Sequence, residues 1–194
     1  LFRSAMTNIQ SVCLIDAMKA CEQMPGLSVL DHGIMVRDYY RDLIGHIRHG
    51  HALQLEWRLP DWINDPRLLQ GLPCDEVMET YHLFHDCGKP HCRTVDENGK
   101  QHFPDHARVS RDIWLSLGGD ERIGDLIGMD MDADLLKDEG VAAFAQRPQA
   151  CALLLTALAE IHANATMFGG IDATGFKIKW KHVDKRGRAI LRHL

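Results

Sequence analysis

Apolar positions recur along most of this chain at three- and four-residue spacing, which predicts a mostly helical protein. Residues 7 to 24 carry Ile9, Val12, Cys13, Ile15, Ala17 and Ala20 and stop at Pro25-Gly26. Ser28 suits the N-cap of a second helix running to about His49, with Val29, Met35, Val36, Tyr39, Tyr40, Leu43 and Ile47 in helical period. The stretch LEWRLPDWINDPRLLQGLP (55 to 73) breaks that rhythm with three prolines and two tryptophans. It reads as a packed connector with short helical turns, a lid or partner surface being the alternative. From Asp75 to Cys87 the period returns, with Val77, Met78, Tyr81, Leu83 and Phe84 inward; Gly88 fits the helix end and Pro90 enforces the stop. Residues 94 to 103 turn at Glu97-Asn98-Gly99, which predicts a small hairpin or loop. Helices follow at 105 to 117, 120 to 128 and 134 to 146. The most apolar helix, 149 to 166, is too short and interrupted to cross a membrane and is expected in the core. Near the end, FKIKWK (176 to 181) alternates apolar and cationic residues, which predicts a strand.

The expected class is therefore all-α, with a hairpin or loop insertions. The 194 residues fit one domain, with a core at about 28–166 and a basic C-terminal extension over 170–194. A net charge of −5 does not mark the whole chain as a nucleic-acid binder. The extension is locally basic, however: Lys177, Lys179, Lys181, Lys185, Arg186, Arg188 and Arg192 interleave with Phe176 and Trp180. That pattern suits phosphate contacts and base stacking, or equally an edge strand guarded by lysines. The six cysteines form no CxxC pair and predict free thiols in a reducing cytoplasm. No run approaches a membrane span, and no signal-peptide pattern is visible.

Twelve histidines direct attention to metal or acid–base chemistry. The densest stretch is YHLFHDCGKPHCR, positions 81 to 93, which sets His85 beside Asp86 at a helix end. His32 lies in the first turn of the second helix, and His106 opens a later one. Asp130, Asp132, Asp134 and Glu160 add carboxylates. Imidazoles and carboxylates converging from several helices suit a divalent ion such as Mn, Fe, Co, Ni, Zn or Mg. The plainer readings are a hydrogen-bonded His-Asp pair, a capped surface His32, a structural or phosphate-contacting His106 and a solvated acidic turn. His82, one turn before the pair, is read as packed. DMDAD is not a calcium loop, because Leu135 and Val141 stand where Gly and Glu are needed. Glu160 on an apolar helix would be costly to bury without a metal or cation as partner.

YHLFHDCGKP, followed by RTVDENGKQHFPDHARVS, resembles the signature of the HD-domain metal-dependent phosphohydrolases, an all-helical superfamily. It is similar in particular to the HD domains of tRNA nucleotidyltransferases and RNA end-repair phosphoesterases. The resemblance covers about 28 to 166 and is specific over 85 to 110. It implies that His32, His85 and Asp86 bind metal and that His106 binds a second one in some members. Glu160 stands where the family has Asp, and Asp130 or Asp132 stands where two-metal members place a His. It further implies one or two divalent ions that activate water against a phosphate ester. Asp86 would bridge, Lys89 and Arg93 would contact phosphoryl oxygens, and His106 would serve as alternative proton donor. The expected substrates are a phosphorylated small molecule, a nucleotide or an RNA end. The alternatives are a catalytically silent nucleotide-binding HD module, a di-iron oxygenase of the HD type, and a tRNA-binding fragment of a larger enzyme.

Overall fold

The computed structural model describes residues 6–194 and is mostly helical, with two small antiparallel hairpins as its β-structure. The chain divides into two compact units, one up to Ile34 plus Asp75–Asp130, the other Met35–Cys74 plus Met131–Leu194. No helix among the described residues is long and apolar enough to cross a membrane.

The first unit begins with α1 (Asn8–Ala20), whose N-terminus is closed by a capping box. The Thr7 hydroxyl accepts from the Gln10 amide at 3.3 Å, and the Thr7 amide donates to Gln10 Oε1 at 2.9 Å. The expected helix to residue 24 stops earlier. Cys21 is extended, and the chain reverses through β1 (Glu22–Met24) and β2 (Leu27–Ser28). Gly26, at φ +79°, makes that reversal possible. Ser28 caps α2 (Val29–His49) as expected, its hydroxyl accepting from the Asp31 amide at 3.0 Å. The boundary between the units falls within α2, after Ile34.

Next come α3 (Asp75–Phe84), the short α4 (Lys89–Cys92), the hairpin β3 (Thr94–Val95) and β4 (Gln101–His102), α5 (His106–Ser116) and α6 (Glu121–Gly128). Pro90 does not end α3; it sits in the first turn of α4, where its missing N–H costs nothing. Met18, Val29, Met78, Tyr81, Trp114, Leu126 and Ile127 are buried and form this unit's core.

In the second unit the segment expected to be irregular forms two single-turn helices, Asp61–Asn64 and Pro66–Leu69. It is a pinned connector. The Asp42 carboxylate accepts from the Gln54 and Leu55 amides and from Trp57 Nε1. His162 Nε2 accepts from the Arg58 amide at 3.0 Å, while its Nδ1 donates to the Leu158 carbonyl at 2.7 Å. Burial pushes the His162 imidazole down to about 4, so it stays neutral and structural. The single helix expected at 134–146 is two short ones, α7 (Asp132–Leu135) and α8 (Val141–Ala145), separated by a turn at Asp138–Gly140.

α9 (Ala150–Ala163) is buried at nearly every position, as its apolar sequence demands. The expected strand at 176–181 is instead part of α10 (Thr174–Leu191), which packs against α8 and α9. Phe176, Val183, Gly187 and Ile190 are its buried face. A Cβ at Gly187 would run into the Trp62 ring, whose Nε1 donates to Asp184 Oδ1 at 3.1 Å. Part of the basic patch is paired with acids in this helix. Lys177 faces Asp172, Lys185 faces Asp138, Arg186 faces Asp134 and Arg188 pairs with Asp184. Arg58 lies over the Trp180 ring, 5.0 Å from its centroid.

Candidate metal centre

The centre is built where α3 ends. Past Phe84 the chain makes a tight turn through His85, Asp86, Cys87 and Gly88 before α4 begins. Gly88 carries no Cβ because one would strike the Ser110 backbone of α5, and its amide donates to Ser110 Oγ at 2.8 Å. Gly33 plays the matching part on α2: a Cβ there would strike the Leu83 carbonyl. These two close approaches bring His32 and the start of α5 to the turn that carries His85 and Asp86.

His32, His85 and Asp86 are 0%, 2% and 1% exposed, and one ligand atom from each lies within 4.8 Å of the others. Asp86 Oδ2 is 3.2 Å from His85 Nε2 and 3.6 Å from His32 Nε2. His106 Nε2 approaches from α5, 3.7 Å from Asp86 Oδ1. That Oδ1 is buried and accepts no hydrogen bond among the described residues. Asp130, just past α6, offers a carboxylate oxygen within 4.8 Å of a His85 ring nitrogen and accepts from the Tyr81 hydroxyl at 2.5 Å.

The tautomers follow from the backbone. His85 Nδ1 lies 2.7 Å from the His82 carbonyl and His106 Nδ1 lies 3.1 Å from the Phe103 carbonyl. A carbonyl only accepts, so in each ring Nδ1 carries the proton and a neutral ring turns the Nε2 lone pair toward Asp86. A lone pair facing a carboxylate oxygen is repulsive unless a proton or a metal cation lies between them. Backbone carbonyls that fix an imidazole in this way are the usual support of histidine metal ligands. The donor set of imidazoles and carboxylates, with a buried carboxylate oxygen short of a partner, fits a divalent cation.

Burial pushes the Asp86 carboxyl up, but His85, Lys89 and His32 more than offset it and hold it well below the usual carboxylate range. Lys89 differs from the expectation of a phosphate-reaching side chain. It is buried, and its Nζ donates to Asp86 Oδ2 at 2.6 Å and to Gln23 Oε1 at 2.8 Å. His82 is packed, as expected; burial, with His85 nearby, keeps its ring well below the ordinary imidazole value and hence neutral. Arg93, just past α4, is exposed.

The remaining carboxylates belong to the second unit. Asp132 pairs with Arg147 at 2.5 Å. Glu160, on α9, lines a pocket with Asp134, Lys179 and Arg186. Burial, and then the charge of Glu160, push the Asp134 carboxyl up to about 6. Two contributors carry no functional signal in the sequence. Tyr81 reads there only as core, and Ser110 has no mark beyond its place in the resemblance. No protein-family model matches the chain, and a search of curated proteins found no match.

Proposed function

We propose that the protein is a metal-dependent phosphohydrolase of the HD-domain kind, acting on nucleotide or RNA-end phosphate esters in a reducing cytoplasm. The observation that carries this reading is the buried His32–His85–Asp86 group, with the His85 ring oriented by the His82 carbonyl. His32, His85 and Asp86 would hold the ion, with Asp130 adjacent. A divalent ion in such a group supplies Lewis acidity toward a phosphoryl oxygen and lowers the pKa of water.

The chain's own residues have separable tasks. Lys89 holds Asp86 in place and balances its charge. Tyr81 fixes Asp130. His106 is the most accessible member, with 20% of its side chain exposed. Its Nδ1–H is committed to Phe103, so Nε2 is the atom that would deliver a proton to a leaving oxygen. Arg93 is the exposed cation nearest in sequence that could clamp a phosphate.

The test is metal content and phosphoesterase activity, measured together on the wild type and on a His85→Ala, Asp86→Ala double variant. The panel spans an aryl phosphate, a bis-aryl phosphodiester, nucleotides and cyclic-phosphate RNA ends, each with Mn, Ni, Co and Mg. Metal and turnover lost together support the proposal; wild type that binds no metal after reconstitution overturns it. One observation favours a second reading, a silent or regulatory HD module. The Lys89 ammonium already sits on Asp86. Metal bound without turnover on any substrate supports that reading instead.

A further inference from the structure

The first hairpin breaks its own ladder at residue 23. Glu22 pairs with Ser28 and Met24 with Leu27, so the register shifts between them and leaves Gln23 as the bulged residue. A bulge re-aims the side chain it carries. Here the carboxamide reaches Lys89 of α4, whose Nζ donates to Gln23 Oε1 at 2.8 Å and to Asp86 Oδ2 at 2.6 Å. Those two oxygens are the hydrogen-bond acceptors of the ammonium among the described residues, and the Phe103 ring lies 5.4 Å from it. An ammonium only donates, so the contact fixes which end of the carboxamide is the oxygen. Gln23 is half-buried and Lys89 is buried, so water is a poor substitute for either bond.

We infer that Gln23 is a positioning residue of the metal centre: it holds the Lys89 ammonium when a divalent ion claims Asp86. The inference rests on the metal-centre reading above and not on hydrolysis. Asp86 Oδ2, the oxygen that carries the ammonium, is also the one that faces His85 Nε2 at 3.2 Å and His32 Nε2 at 3.6 Å. Two cations on one carboxylate oxygen repel each other. The ammonium then depends on its other acceptor, and that acceptor is Gln23 Oε1. Without it, the ammonium of the ion-bound form has neither the full charge of Asp86 nor a second oxygen to donate to. The ion-free form keeps the Asp86 bond, so the loss falls harder on the ion-bound form. Affinity for the ion therefore drops when residue 23 loses its acceptor, and drops only while residue 89 carries a charge. A residue that merely shaped the hairpin would weaken the fold and leave ion binding alone.

The test is equilibrium dialysis of the full chain against Mn, with the free ion read by electron paramagnetic resonance. The proteins are wild type, Gln23→Leu, Gln23→Glu, Lys89→Met and the Gln23→Leu, Lys89→Met double variant. Gln23→Leu is expected to weaken Mn binding about tenfold, the scale of a hydrogen bond to a charged group. Gln23→Glu keeps the acceptor, adds negative charge and is expected to bind Mn more tightly than wild type. In the Lys89→Met background, Gln23→Leu is expected to change the affinity by less than about twofold, since the coupling between the two residues is then gone. Should Gln23→Leu fail to fold, Gln23→Glu carries the test, and weaker Mn binding by that variant overturns the inference. Equal Mn binding by wild type and Gln23→Leu, or the same loss with and without Lys89, overturns the inference and leaves the metal centre standing. Wild type that binds no Mn removes the metal centre and the inference together. The expected pattern of Mn binding without turnover on any substrate sinks hydrolysis alone.

Discussion

Replacing Lys89 with Met tests the charge balance of the centre most directly, because it keeps the length of the buried stem and deletes the ammonium. In the wild type Nζ lies 2.6 Å from Asp86 Oδ2. With an effective dielectric near 20, the attraction at that distance is about 6 kcal/mol. Desolvation of both groups offsets much of it. Removing one partner of a buried pair nevertheless costs about 3–5 kcal/mol, because the other charge is left behind. His85 and His32 still face the carboxylate, so the expected loss is at the low end, about 3 kcal/mol. Urea unfolding in EDTA, followed by tryptophan fluorescence, measures it. Saturating Mn should then narrow the gap between variant and wild type. The ion takes over the neutralisation of Asp86, and without the ammonium it binds the variant more tightly. A loss below about 1 kcal/mol in EDTA would refute the buried ion pair. A gap that stays the same with and without Mn would refute the assignment of Asp86 to a cation site.

Three further outcomes are expected. The Asp86 carboxyl is depressed in the folded protein, so its contribution is fully present above the unfolded value of about 3.9 and is lost as pH falls through the folded one. The stability difference between wild type and Asp86→Asn should accordingly shrink on acidification below about pH 4; a difference that grew below that pH would contradict the assignment. Tyr81→Phe removes the donor to the buried Asp130 carboxylate and should cost about 1.5–3 kcal/mol in urea unfolding. Gly88→Ala forces a Cβ against the Ser110 backbone and should cost about 1–3 kcal/mol; a neutral effect would mean that α5 and the turn are not locked together.

The parts of this molecule legible in the sequence are those where local chemistry and tertiary demand agree. Ser28 reads as a cap and is one, and the apolar run at 150–163 reads as core and is buried. His85-Asp86 stands out because two polar groups follow an inward-facing apolar stripe. The misreadings have equally local causes. FKIKWK satisfies a strand period over six residues, but Phe176, Val183, Gly187 and Ile190 share the helical face that packs. A window of six is too short to tell the two apart. Ile178 and Lys179, inside it, are exposed. In the sequence Pro90 reads as a stop because a proline breaks a helix it lies within; its fixed φ equally suits a first turn. Lys89 stands out in the sequence as a phosphate contact and Tyr81 only as core; their roles depend on which carboxylate the fold brings to them, which spacing along the chain does not reveal.

The hydrogen bond from His85 Nδ1 to the His82 carbonyl joins two matters usually treated apart. His82 lies in the last turn of α3, where carbonyls have no amide to accept from within the helix. The imidazole fills one of those vacancies and so acts as the terminating group of α3. Where the helix ends and how the ring is aimed are thus one structural decision. A change that lengthened α3 by a residue would offer the His82 carbonyl a backbone amide instead and release the ring. Substitutions distant from the cluster, if they only extend or fray this helix, should therefore disable it as surely as removing a ligand would.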